Sequence, residues 1–146
     1  MLWQRLTVFT TLGFALLAQA GPPEVIKVLP QFLDLKGRNS LSPSLLDRDA
    51  YQIELRDSPA KRSGLRFNVQ WKAPRPEALI LRVEARGGHS QEPVILEQPV
   101  QPGVFNQWTA LTLDGEKYKK FGELISWRAV LLQGTNVVAE QKSFLW

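Results

Sequence analysis

One histidine, no cysteine and scattered acids are all that this 146-residue chain offers to bond-making chemistry. His89 lies in Gly87-Gly88-His89-Ser90-Gln91-Glu92, and Gly88-His89-Ser90-Gln91 begins like the G-x-S-x-G turn that exposes a nucleophilic serine. Glu92 stands where the tight strand-to-helix turn requires its second glycine. A Ser-His-Asp triad also needs a base distant in sequence from the serine, and His89 is the only histidine available. The segment is therefore expected to be a flexible, exposed loop.

Metal chemistry finds little more. One histidine without cysteine does not supply the three or four ligands of a zinc site. Asp47, Asp49, Glu54 and Asp57 form the one acidic cluster, yet they lack the third ligand and central glycine of a calcium loop. On a helix Asp47 and Asp49 point about 200° apart, and Asp47 is better explained by its charge near a helix N-terminus. Paired carboxylates for glycoside cleavage need burial in a cleft to raise one pKa. Here the acids alternate with apolar residues (Glu84, Glu140) or sit in turns (Asp114, Glu116), which predicts exposure. No catalytic residue, metal or cofactor is expected.

Aromatic side chains offer a different chemistry, that of binding. Trp71, Trp108, Trp127 and Trp146 all follow residue 20, and aromatic faces hold sugar rings and anchor protein interfaces. Trp71 and Trp127 share parity with neighbouring apolar residues, which assigns both to a core. Trp108 follows the turn-forming Pro102-Gly103-Val104-Phe105-Asn106-Gln107 stretch. Phe105 and Trp108 are therefore the candidate binding residues, for a protein or a polysaccharide.

Residues 1–20 are expected to be a cleavable secretory signal. Arg5 precedes an apolar run from Leu6 to Leu17, and Ala18-Gln19-Ala20 supplies small residues at the cleavage positions. The run is too short to span a bilayer and no stop-transfer stretch follows, so residues 21–146 should contain no transmembrane segment. The expected location is periplasmic or extracellular in a bacterium. Without cysteine there is no disulfide and no lipobox, hence no lipoprotein anchor. The formal net charge of +4 is mild and interspersed, and no basic stripe suggests nucleic acid. The densest basic run, Glu116 to Lys120, is expected to be a solvated turn.

Stepping along the chain, strict alternation predicts strands. Leu65, Phe67, Val69 and Trp71 alternate with Arg66, Asn68, Gln70 and Lys72, so one pleated side faces a core and the other water. Leu79, Leu81, Val83 and Ala85 repeat the pattern after a loop containing Pro74 and Pro76. Strands are also expected at 25–35 (broken near Pro30), 94–98 and 108–113. Segments 125–131 and 137–146 should pair as a hairpin through Gln133-Gly134-Thr135-Asn136. Arg82, Glu84 and Arg86 are placed to face Arg128, Glu140 and Lys142 across strands. A short helix is expected near 44–56: Ser44 caps it, and Leu46, Ala50 and Ile53 recur at helical spacing with Tyr51 and Leu55 beside them. A second helical turn is expected at 115–121.

Short strands at this spacing predict a mainly β, single-domain antiparallel sandwich over residues 21–146. About seven strands, a tryptophan on the 65–72 strand and the terminal hairpin resemble an immunoglobulin-like or fibronectin type III-like sandwich. Asp114-Gly115-Glu116-Lys117-Tyr118 is similar to the tyrosine corner of those domains, although Lys119-Lys120-Phe121-Gly122 separates Tyr118 from the next strand. The expected role is a non-catalytic interaction module. The alternatives are a small secreted hydrolase with an unrecognised carboxylate pair, and an outer-membrane barrel whose last strand ends on Trp146. In a barrel Lys72, Arg82, Arg86 and Arg128 would line the lumen.

Overall fold

Seven strands form two antiparallel sheets in the computed structural model, which describes residues 21–74 and 77–146. The expected signal segment, 1–20, lies outside the described residues. The three-stranded sheet has the order β1 (Glu24–Asp34), β2 (Arg62–Ala73), β5 (Gly103–Asp114). The four-stranded sheet has the order β4 (Val94–Val100), β3 (Leu79–Gly87), β6 (Leu124–Gln133), β7 (Asn136–Lys142). Helix α1 (Leu45–Asp57) joins β1 to β2, and α2 (Gly115–Phe121) joins β5 to β6.

The alternation in β2 and β3 is what closes the two sheets on each other. Leu65, Phe67, Val69 and Trp71 meet Leu81, Val83, Ala85, Ala129 and Leu131 in one core. Trp71 keeps its indole N–H satisfied there by donating to Thr109 Oγ1 at 2.9 Å. Two separate sheets replace the closed ladder of a barrel, and the basic residues assigned to a lumen lie on outer faces instead. On the four-stranded sheet Glu97, Arg82, Glu84, Arg128 and Glu140 form a chain of ion pairs across β4, β3, β6 and β7, with separations of 2.6 to 3.7 Å. Arg86 departs from the expected ladder and lies over the Trp146 ring at 4.0 Å.

Several boundaries differ from expectation for local reasons. β1 runs unbroken through Pro30, because β1 is an edge strand. Residues 30 and 32 direct their backbone polar groups to the same side, away from β2, so the missing Pro30 N–H costs no ladder bond. β7 stops at Lys142, where Ser143 pairs with Trp127 through its N–H and hydroxyl, each at 2.9 Å. Ile125 shares the parity of Ala129 but is exposed, since the β3–β6 register shifts between Arg86 and Gly87. Gly134, with φ of 61°, makes the two-residue turn of the terminal hairpin.

Helix α1 turns inward only part of its expected apolar side, Tyr51 and Leu55. Leu46 and Ile53 face solvent, while Arg48, Tyr51, Gln52 and Leu55 face the protein. The reason is what the helix covers. β1 is an edge strand with unpaired backbone groups, and Gln52 answers them as a strand would. Its Oε1 accepts from Phe32 N–H at 2.7 Å, and its Nε2 donates to Phe32 O at 2.9 Å and Asn39 O at 2.8 Å. A hydrophobic stripe would have left those groups bare.

Asp34, at the end of β1, fixes the turn into α1. Its carboxylate accepts from the Lys36 and Arg38 N–H groups, each at 2.9 Å, from Arg38 Nε at 2.9 Å and from Tyr51 Oη at 2.6 Å. Burial alone would raise its pKa, but the Tyr51 bond and those from Arg38 and Lys36 outweigh it and hold the carboxyl well below the usual range. The same bond to Asp34, followed by burial, raises the Tyr51 phenol. Because the folded pKa lies below the unfolded value of about 3.9, Asp34 contributes stability above that pH and loses it as pH falls through the lower folded value. Asp34→Asn is expected to cost about 1–3 kcal/mol at pH 7. Its deficit relative to the native chain should shrink below about pH 4, as read by urea midpoints at pH 7 and pH 3.

Candidate functional site

Two hollows contain the candidate residues His89 and Trp108, one at a pole of the sandwich and one on an outer sheet face. The polar hollow, about 650 Å³, includes Arg62, Ser63, His89, Asp114, Tyr118 and Glu123. It gathers the residue types of acid–base catalysis, but most are committed to holding the fold. Arg62 is buried; its Nε donates to Leu55 O at 2.6 Å, its Nη1 to Glu123 Oε1 at 2.8 Å, and its Nη2 to Arg56 O. Its guanidinium also lies 4.2 Å from the Phe32 ring centroid. Burial pushes the Arg62 pKa down, while bonds to Glu123 and Tyr118 more than offset this, so it stays charged.

Two serines at this end are also tied. Ser63 Oγ donates to Asp34 O at 2.5 Å, and Ser90 Oγ donates to Glu92 O at 3.0 Å. The β3–β4 loop is exposed as expected but docked: Gly88 N–H donates to Glu123 O at 2.9 Å, and His89 N–H to Phe121 O at 3.2 Å. Gly87 allows that docking, since a Cβ there would stand 2.1 Å from Phe121 O. Among the described residues no hydrogen bond joins the His89 ring to a serine or a carboxylate, and no group of three metal-binding side chains occurs. Arg62 and the docked β3–β4 loop brace this end of the sandwich.

The second hollow, about 460 Å³, lies on the outer face of the three-stranded sheet. Alternation sends every second side chain of that sheet outward, and the register arranges them as a grid. Lys27, Gln70 and Trp108 form one row across β1, β2 and β5; Leu29, Asn68 and Ala110 form the next; Gln31, Arg66 and Thr112 form the third. Asn39, Leu45 and Arg48, from the β1–α1 loop and the first turns of α1, raise a wall on the β1 side. α1 stands there because Gln52 and Tyr51 fasten it to the edge of β1.

The polar floor is organised. Gln31 Oε1 accepts from Asn39 Nδ2 at 2.7 Å and Asn68 Nδ2 at 2.8 Å. Each amide thereby spends one end on its neighbours and keeps the other: Gln31 Nε2 as a donor, Asn39 Oδ1 and Asn68 Oδ1 as acceptors. A fixed array of donors and acceptors beside an exposed indole is suited to a hydroxyl-rich ring.

No family description, curated protein or solved structure matches this chain. The site must be judged on its own geometry.

Trp108, 53% exposed, stands at the edge of the second hollow, as a residue three before it does not. Phe105 is 81% exposed but contributes nothing to that hollow. The β2–β5 register shifts between Trp71 and Ala73, so the four steps from Gln107 to Gly103 on β5 face two on β2, and Phe105 lies within that irregular stretch. Lys27, Gln31, Asn39, Arg66 and Asn68 were not singled out from the sequence. Alternation marks Arg66 and Asn68 as outward, but nothing local shows that β1 brings Lys27 and Gln31 beside them.

Proposed function

We propose that this protein is an exported, non-catalytic interaction module of the bacterial envelope or secreted space. It holds a polysaccharide against the outer face of the three-stranded sheet. The observation that carries this is Trp108, half exposed in the same hollow as three interlocked amides. An exposed indole beside fixed donors and acceptors offers a sugar ring both a stacking face and hydrogen bonds, without a large apolar interface.

The strand order supports an immunoglobulin-like or fibronectin type III-like assignment. The first, second and fifth strands make one sheet; the third, sixth and seventh make the other, with the fourth added beside the third. Tyr118 departs from the tyrosine corner, since it sits within α2 rather than at a strand start. Such sandwiches serve many roles, so the assignment supports a scaffold and leaves the role to the hollow. Export is supported by the character of residues 1–20.

Affinity electrophoresis through gels containing neutral and acidic plant or bacterial polysaccharides tests this. At least one polysaccharide should retard the native domain. Trp108→Ala should weaken that retardation at least tenfold, a loss of about 1.4 kcal/mol, while Phe105→Ala migrates like the native chain. Far-UV circular dichroism and melting should be unchanged in both, as surface substitutions cost within about 0.5 kcal/mol. Equal retardation of Trp108→Ala and native protein would overturn the proposal.

A further inference from the structure

The outer faces of the two sheets differ in how they treat charge. On the four-stranded sheet Arg82 and Arg128 each touch carboxylates, so that face is internally neutralised. On the three-stranded sheet Lys27, Arg48 and Arg66 line the hollow and no acid does. Arg48 shares its guanidinium with Asp49, 2.9 Å away and itself largely exposed. Among the described residues Lys27 and Arg66 have no ion-pair partner. Arg66 goes further: its Nε is buried with nothing to donate to. Buried donors are almost always satisfied, and each one left bare costs about 1–3 kcal/mol.

We infer that the hollow takes an acidic oligosaccharide, whose carboxylates meet Arg66 and Lys27 while one ring stacks on Trp108. This rests on the polysaccharide reading above and adds the charge and length of the ligand. Lys27 and Trp108 share a row with Gln70 between them, whereas Arg66 lies two rows further along β2. Two rows are four residues of extended chain, about 13 Å at strand rise. That span exceeds a single sugar ring, so the site reads several units. A guanidinium fork grips a carboxylate through two parallel bonds, and the free ends of Gln31, Asn39 and Asn68 then serve hydroxyls on the units between. Nucleic acid fits less well, because its affinity depends on many phosphate contacts and this face offers three cations.

Isothermal titration with oligogalacturonate and hyaluronan oligomers, each beside its carboxyl-reduced neutral counterpart, tests the inference. At least one acidic oligomer should bind tenfold or more tightly than its reduced form, with affinity that falls as salt rises. Arg66→Gln and Lys27→Gln should each lower that preference about threefold or more, with a smaller loss for the reduced oligomer than for the acidic one. Lys27 is exposed, so its substitution keeps the test decisive even where Arg66→Gln perturbs folding. Equal binding of acidic and reduced oligomers overturns the acidic assignment and leaves the polysaccharide reading standing. Binding of poly-glutamate without binding of any oligosaccharide overturns both. So does the absence of binding to every probe.

Discussion

Phe67→Ala is expected to lower the unfolding free energy by about 3–5 kcal/mol. Phe67 is fully buried at the centre of β2, paired with Pro30 on one side and Leu111 on the other, and it belongs to the single core that joins both sheets. Removing the ring forfeits its transfer from water and leaves a void that close-packed neighbours fill only in part. For a domain of this size total stability is about 5–15 kcal/mol, so the loss is a large share of the whole. Urea titration followed by fluorescence should show a much lower midpoint with a similar slope. A change under about 1 kcal/mol would mean that the two sheets do not meet at Phe67.

Arg62→Met should cost about 2–4 kcal/mol, and in a different place. Methionine matches much of the buried stem but takes the guanidinium donors from the Leu55 and Arg56 carbonyls, which end α1, and leaves Leu55 O only the long bond from Ser58 N–H at 3.4 Å. It also ends the approach to Phe32. The link to Glu123 counts for less, since that carboxylate is largely exposed and returns to water. Lysine should not restore stability, because one ammonium does not reproduce a fork aimed at three acceptors. Hydrogen exchange should quicken most at the C-terminal turn of α1, with β3 and β6 slowed or accelerated far less. Uniform acceleration across both sheets would contradict the bracing role.

These two residues also show where the sequence is legible. Phe67 announces itself: apolar residues at 65, 67, 69 and 71 alternate with polar ones, and only a half-buried strand satisfies that pattern. Ser44 likewise marks the start of α1, its hydroxyl accepting from Asp47 N–H at 3.5 Å. Arg62 announces nothing. It stands at the first position of β2, and its four neighbours come from β1, α1 and the α2–β6 corner, contacts set by tertiary folding alone.

The inward side of α1 illustrates a second kind of opacity. Helical periodicity assumes that a helix buries apolar residues, so Leu46 and Ile53 point inward on that assumption. An edge-covering helix instead presents hydrogen-bonding groups, and Gln52 and Tyr51 carry no periodic signature that says so. The hollow is hidden for a related reason. Trp108 stands out as an aromatic after a turn, yet its companions Lys27 and Arg66 reach it only through the registers of β1 on β2 and β2 on β5. Phe105 stands out equally, yet it lies where the β2–β5 register shifts and lines no part of that hollow.

Titration of the ¹⁵N-labelled domain with an acidic oligosaccharide, followed by amide and indole NMR shifts, locates the binding face. Shifts should concentrate at Lys27, Gln31, Arg66, Asn68 and the Trp108 indole, with the oligosaccharide recovered uncleaved. Shifts centred instead on His89, Tyr118 and Glu123, or the appearance of shortened sugars, would contradict non-catalytic binding at that face.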